Sequence, residues 1–89
     1  MSEKDELDTY QHQLVKFLKN KFCSPYKIDR KEVSRNEYAK ESGISKGTLS
    51  RLNDGKGYDV PISTIYKLCN FECISLKDFF AEFEAAYYK

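Results

Sequence analysis

Apolar residues along this chain recur at three- and four-residue steps, and each run is bounded by helix punctuation. From Thr9 to Phe22, the residues Tyr10, Leu14, Phe17, Leu18 and Phe22 trace one apolar stripe, which predicts an amphipathic helix. Ser24-Pro25 ends it, because a residue before proline is pushed out of the α region. A loop from Ser24 to Val33 follows, with Lys27, Arg30 and Lys31 on it. Ser34-Arg35-Asn36-Glu37 then reads as a capping box, in which the serine hydroxyl accepts from the amide three residues on and Glu37 reaches back. The helix it opens runs to Ser42 and stops at Gly43, a residue that takes the left-handed conformation without steric cost. Ser45 caps a third helix, which ends at Asp54-Gly55. After the Gly55-Lys56-Gly57 turn, Pro61 fits the first turn of a fourth helix with Ile62, Ile65, Leu68 and Cys69 inside. Ser75 to Asp78 opens a fifth, with Leu76, Phe79, Phe80, Phe83 and Tyr87 on its apolar side. Strand-like alternation is absent. The pattern predicts an all-α, five-helix bundle.

Length adds that residues 1–89 form a single domain, with 1–8 as a flexible acidic N-terminus. A chain this short buries one modest core and encloses no deep substrate cavity. No apolar run is long enough for a membrane span, and the opening MSEKDELDTY lacks the profile of a secretion signal, so a cytoplasmic location is expected. Three cysteines, Cys23, Cys69 and Cys73, are an odd number at no disulfide-framework spacing, and they read as core thiols ahead of metal ligands. His12, the only histidine, reads as a surface helix residue. With one histidine, no phosphate-cradling glycine loop and no clustered carboxylates, nothing assembles a catalytic site. The expected protein is not an enzyme and takes no cofactor, metal or small-molecule substrate.

The net charge of +1 hides a division. Residues 16 to 56 hold 11 Lys/Arg against 5 Asp/Glu, a balance of +6, and the remainder holds 4 against 9, a balance of −5. A basic middle between acidic ends suits a surface that faces phosphates. Chance surface patterning gives the same numbers, so charge alone leaves the choice open.

Residues 34 to 55, SRNEYAKESGISKGTLSRLNDG, narrow it. Two helices joined by a three-residue turn containing glycine match the helix-turn-helix unit. Ala39 is small where the two backbones must approach, and Tyr38, Ile44, Leu49 and Leu52 point inward. In the order Ala39, Gly43, Leu49, Leu52, followed by the Asn53-Asp54-Gly55-Lys56 turn, the chain resembles the Cro/repressor-type (XRE-like) helix-turn-helix DNA-binding family. Pro61 to Leu68 is similar to that family's fourth helix and Ile74 to Phe80 to its fifth. The similarity covers Ser34 to Phe80. It implies the phage-repressor type of bundle, with the third helix in the major groove and its N-terminal residues at the base edges.

Reading the residues themselves agrees. With Leu49 and Leu52 inward, Lys46, Gly47, Ser50 and Arg51 face out and are the expected base contacts. Arg51 can fork onto guanine O6 and N7, Lys46 reaches the same acceptors singly, Ser50 can donate or accept, and Gly47 lets the backbone approach. On an isolated helix Lys46 and Arg51 would be ordinary solvated charges; inside this motif they read as contacts. Phosphates are expected at helix N-termini and just past the recognition helix, on Arg35, Ser45, Thr48 and Lys56. The chain departs from the resemblance in three places. The connection between the first two helices is long, and either lies over the DNA backbone or tucks Tyr26 and Ile28 in. Asn53 stands where a glutamate often pairs with a first-helix arginine. Phe71, Glu72 and Cys73 replace the usual end of helix four, so that corner must pack differently.

The expected function is sequence-specific binding of double-stranded DNA by a small transcriptional regulator, a repressor. The C-terminal aromatic helix is either core or the seam of a homodimer. The competing function is a protein-interaction module, such as an antitoxin or anti-repressor, using the same helical fold.

Overall fold

The computed structural model describes residues 3–88. Helix α1, Glu3–Leu18, runs without a break into a π-helical turn, Lys19–Cys23. A short hairpin of β1, Lys27–Ile28, and β2, Lys31–Glu32, leads to α2, Arg35–Ser42, and α3, Lys46–Asn53. Helices α4, Ile62–Phe71, and α5, Leu76–Tyr87, complete the order. Backbone is helical from Glu3, ahead of the expected start at Thr9 and within the segment expected as a flexible lead; Met1 and Ser2 of that segment lie outside the described residues. Among the described residues no helix is long and apolar enough to cross a membrane.

The described residues are predominantly helical, as expected, and the hairpin is an addition that the all-α expectation did not include. Lys27 pairs with Glu32 and Ile28 with Lys31 in antiparallel register, and the connection is two residues long. Asp29 and Arg30 both have positive φ, 51° and 69°, the backbone twist that a two-residue hairpin turn demands. Sequence patterning missed it because the strands are too short to show alternation and no glycine marks the turn. The Val33 amide donates to the Tyr26 carbonyl at 3.0 Å, extending the pairing one step beyond the strands. Tyr26 is buried, and Ile28 and Val33 pack against the core, so the connection is tucked in.

Helix punctuation falls where the sequence put it except at Pro61, which precedes α4 as its N-cap and is not in its first turn. Ser34, Ser45 and Ser75 accept from the amides of Glu37, Thr48 and Asp78. Gly43 closes α2 at φ 77°. The core gathers Val15 and Leu18 of α1, Tyr38 of α2, Leu49 and Leu52 of α3, Leu68 of α4, and Phe79 and Phe83 of α5, all at 0% exposure. Fully burying a leucine or phenylalanine contributes about 1.5–3 kcal/mol each.

Two inward assignments are corrected. Ile62 is 62% exposed, whereas Val60, just ahead of Pro61, is buried. Cys73 is exposed and is not a core thiol. Helix α4 stops at Phe71 and Cys73 has φ 60°, so Cys69 and Cys73 share no helix face.

The corner that departs from the family pattern is held by α2. The Tyr38 hydroxyl donates to Glu72 Oε2 at 2.8 Å, and the Tyr38 ring meets Phe71 edge-on at 5.2 Å and Tyr26 at 5.3 Å. Helix α5 is fixed to α1 by aromatic edges: Phe17 on Phe79 and Phe83, and Tyr10 on Phe83, at 5.3–5.5 Å between centroids. Such pairs contribute about 0.5–1.5 kcal/mol beyond area burial. Phe79 and Phe83 are therefore core. Phe80 and Tyr87 are only partly covered, and Tyr88 is exposed.

Candidate nucleic-acid interface

Helix α3 presents one face because its other face is anchored. Leu49 and Leu52 are fully buried, with Ile44 in the turn at 4% exposure, and the helix packs on α1, α2 and the π-helical turn. Rotation of α3 would have to expose both leucines, at about 1.5–3 kcal/mol each. Lys46, Gly47 and Arg51 consequently stand in solvent, and Ser50 is half-buried. No atom lies within 4 Å of a side chain built at Gly47, so the backbone there is open to close approach.

Two of these side chains are not free. Ser50 Oγ accepts a hydrogen bond from Arg35 Nη1 at 2.6 Å, which ties the first residue of α2 to the middle of α3. Arg51 lies over the ring of Tyr58, 5.2 Å from its centroid. Such a contact is worth about 0.5–1 kcal/mol at an exposed site. Burial raises the Tyr58 phenol pKa, and the positive charge of Arg51 opposes that rise.

At the N-terminus of α3 the Ser45 hydroxyl does two things. It accepts from the Thr48 amide at 3.1 Å and donates to the Thr48 hydroxyl at 2.9 Å. Ser45 therefore has no hydroxyl proton left for a ligand, and Thr48 has one. An open groove at the α2–α3 turn is lined by Asn36, Lys40, Ser45 and Lys46, so it has two lysines on its rim. Lys56 is exposed in the turn after α3. That turn is braced from α1: a methyl added at Gly57 would stand 2.5 Å from His12 Nδ1, and the same nitrogen is 2.8 Å from the Asp8 carbonyl.

The structure thus places Arg35, Ser50, Lys46 and Arg51 on or beside the outer side of α3, with Ser45 and Thr48 joined at its start. It records no contact from Lys56 to this group. Sequence reasoning missed Tyr58 and His12. Neither lies on a periodic stripe with the residue it supports, and no local signal marks a contact between a loop and a helix.

What this surface offers chemically is positive charge and N–H and O–H donors around a helix start. A family model described as a Cro/C1-type HTH DNA-binding domain matches residues 20–81. The match begins upstream of Ser34, so it takes in the hairpin and all but the first residue of the π-helical turn as well as the helix-turn-helix. No curated protein and no solved structure matches the chain.

Proposed function

Because the chain belongs to the Cro/C1-type helix-turn-helix DNA-binding domain family, we propose that it is a sequence-specific transcriptional regulator acting as a repressor. It works by binding double-stranded DNA, with α3 in the major groove, and not by catalysis. The observation that carries this reading is the full burial of Leu49 and Leu52, which leaves the Lys46, Gly47 and Arg51 side of α3 to solvent. Lys46, Gly47, Ser50 and Arg51 read base edges. Arg35, Thr48 and Lys56 hold phosphates, with Ser45 acting through the Thr48 hydroxyl it donates to and through its own position at the helix start. The protein works as one domain in the cytoplasm.

A homodimer on a palindromic operator, with half-sites one helical turn (~34 Å) apart, is the assembly we propose. Phe79 and Phe83 are occupied in the core, so the seam rests on the outer residues Phe80, Tyr87 and Tyr88. Sedimentation with and without operator tests it.

Selection of bound duplexes from a random DNA pool tests the reading directly. Arg51→Ala is expected to cost roughly 1–3 kcal/mol on the selected site and to relax preference there, whereas Lys56→Ala weakens all sequences alike. Binding should also fall steeply with salt through counterion release. Retention of a protein partner with no such salt dependence, and no duplex selected, would favour the antitoxin-like alternative.

A further inference from the structure

We propose that Arg35 and Ser50 act as one donor unit, and that the base facing Ser50 in the operator is guanine. The inference rests on α3 lying in the major groove, as proposed above, and goes beyond it by assigning the base.

A serine hydroxyl by itself reads any base, since it has one proton to give and two lone pairs to receive with. Ser50 is no longer in that state. Arg35 Nη1 donates to its oxygen at 2.6 Å, a charge-assisted contact. A second donor approaching that oxygen would meet the guanidinium charge, while the O–H bond, polarised by the same cation, becomes a stronger donor. Arg35 contributes donors only, having five N–H bonds and no lone pair. One of them is used on Ser50.

What the pair presents outward is therefore protons. Its neighbours do not change that. Lys46 and Arg51 are donors only, and Thr48, whose oxygen accepts from the Ser45 hydroxyl, has its own proton to give. In the major groove, guanine offers two adjacent acceptors, N7 and O6. Adenine sets an amino group beside its N7, cytosine offers an amino group, and thymine offers a single O4 next to a methyl. A patch of donors fits guanine and opposes the amino-bearing edges.

The chemistry also makes Arg35, on α2, a positioning residue for base choice, in addition to the phosphate contact proposed above for its remaining N–H groups. A phosphate clamp at the same place would hold every sequence equally. The two roles separate in one experiment. Duplexes are selected from a random pool by the wild-type chain, by Ser50→Ala and by Arg35→Ala, with thermal melting to check that both variants remain folded. The expected result is that wild type selects guanine at one position and that both variants lose preference at that same base pair while keeping it elsewhere. Replacing that guanine by 7-deazaguanine, which removes the N7 acceptor, should weaken wild type roughly three- to tenfold and leave Ser50→Ala unchanged. If Arg35→Ala weakens all duplexes evenly with every base preference intact, or if no base preference responds to Ser50→Ala, the donor unit is wrong while DNA binding stands. A wild-type chain that selects no duplex at all overturns the DNA reading and this inference together.

Discussion

The guanidinium of Arg51 rests on the ring of Tyr58, 5.2 Å from its centroid, so a residue of the α3–α4 loop holds the longest side chain on the exposed side of α3. Arginine carries about 2 kcal/mol of rotamer entropy, and a ring that already restricts it removes part of that cost from binding.

Tyr58→Phe is expected to bind operator as the wild type does, because the ring face is retained. Tyr58→Leu should lose roughly two- to fivefold, the equivalent of an exposed cation–π contact. Titration of a selected duplex by fluorescence anisotropy measures both. Equal affinity for the leucine variant would mean that the ring does not organise Arg51.

Gly47→Ala separates folding from function. No atom lies within 4 Å of the added methyl, so in the free protein it costs nothing sterically and raises helix propensity by up to ~1 kcal/mol. Thermal melting should show a gain of a few degrees, and the same variant should bind operator more weakly where the backbone must approach the duplex. A gain in both would argue that this backbone stays away from DNA.

The turn that carries Lys56 is held by contact between Gly57 and His12, which predicts a rescue. Gly57→Ala pushes its methyl into the imidazole and should cost about 1 kcal/mol, with loss of the ring's contact to the Asp8 carbonyl. Adding His12→Ala removes the obstacle, so the double variant should be more stable than the sum of the two single changes. Chemical denaturation of the four proteins in the cycle measures the coupling.

Arg30 occupies a left-handed conformation at φ 69°, which costs a residue with a side chain roughly 1–2 kcal/mol. Arg30→Gly removes that cost but adds backbone entropy to the unfolded chain, and the Asp-Gly pair it creates is favoured for this turn. A net gain of up to about 1 kcal/mol in unfolding free energy is expected. A loss would indicate that the Arg30 side chain makes a stabilising contact that outweighs its strain.

Alkaline pH should destabilise the fold through Cys23. Burial first, and then the nearby Glu72 carboxylate, push its thiol from 9.0 up to about 12, while Lys19 opposes the shift. The unfolded chain releases this proton near pH 9 and the folded chain holds it to about 12. The stabilisation is therefore complete below pH 9 and is lost as pH rises through that interval. Tyr38 acts in the same direction above its ordinary 10.0, pushed up by burial and by the hydrogen bond to Glu72. Urea unfolding at several pH values should give a falling stability above pH 9, with a shallower fall in Cys23→Ala.

How much of this was legible beforehand depended on how local each cause is. Caps were legible because Ser34, Ser45, Ser75 and Gly43 act on backbone within a few residues of themselves. The outward placement of Lys46 and Arg51 was legible because Leu49 and Leu52, on the same helix, fix its rotation. The hairpin was not, since its turn works through a backbone conformation that Asp29 and Arg30 adopt against ordinary preference. Ile62 was misplaced because helical spacing gives it an inward phase, whereas the buried residue at this end of α4 is Val60, ahead of the helix.

By itself, the sequence determined five helices, the two-helix unit with its glycine turn, and the side of α3 that meets solvent, because each follows from periodicity and capping along one stretch of chain. Only the tertiary structure decided what the exposed side chains touch. Arg35 reaching Ser50, Tyr58 beneath Arg51, and Tyr38 gripping Glu72 join residues of different elements. Those pairings depend on how the helices cross and how the α3–α4 loop folds back, and no pattern along a single helix encodes either.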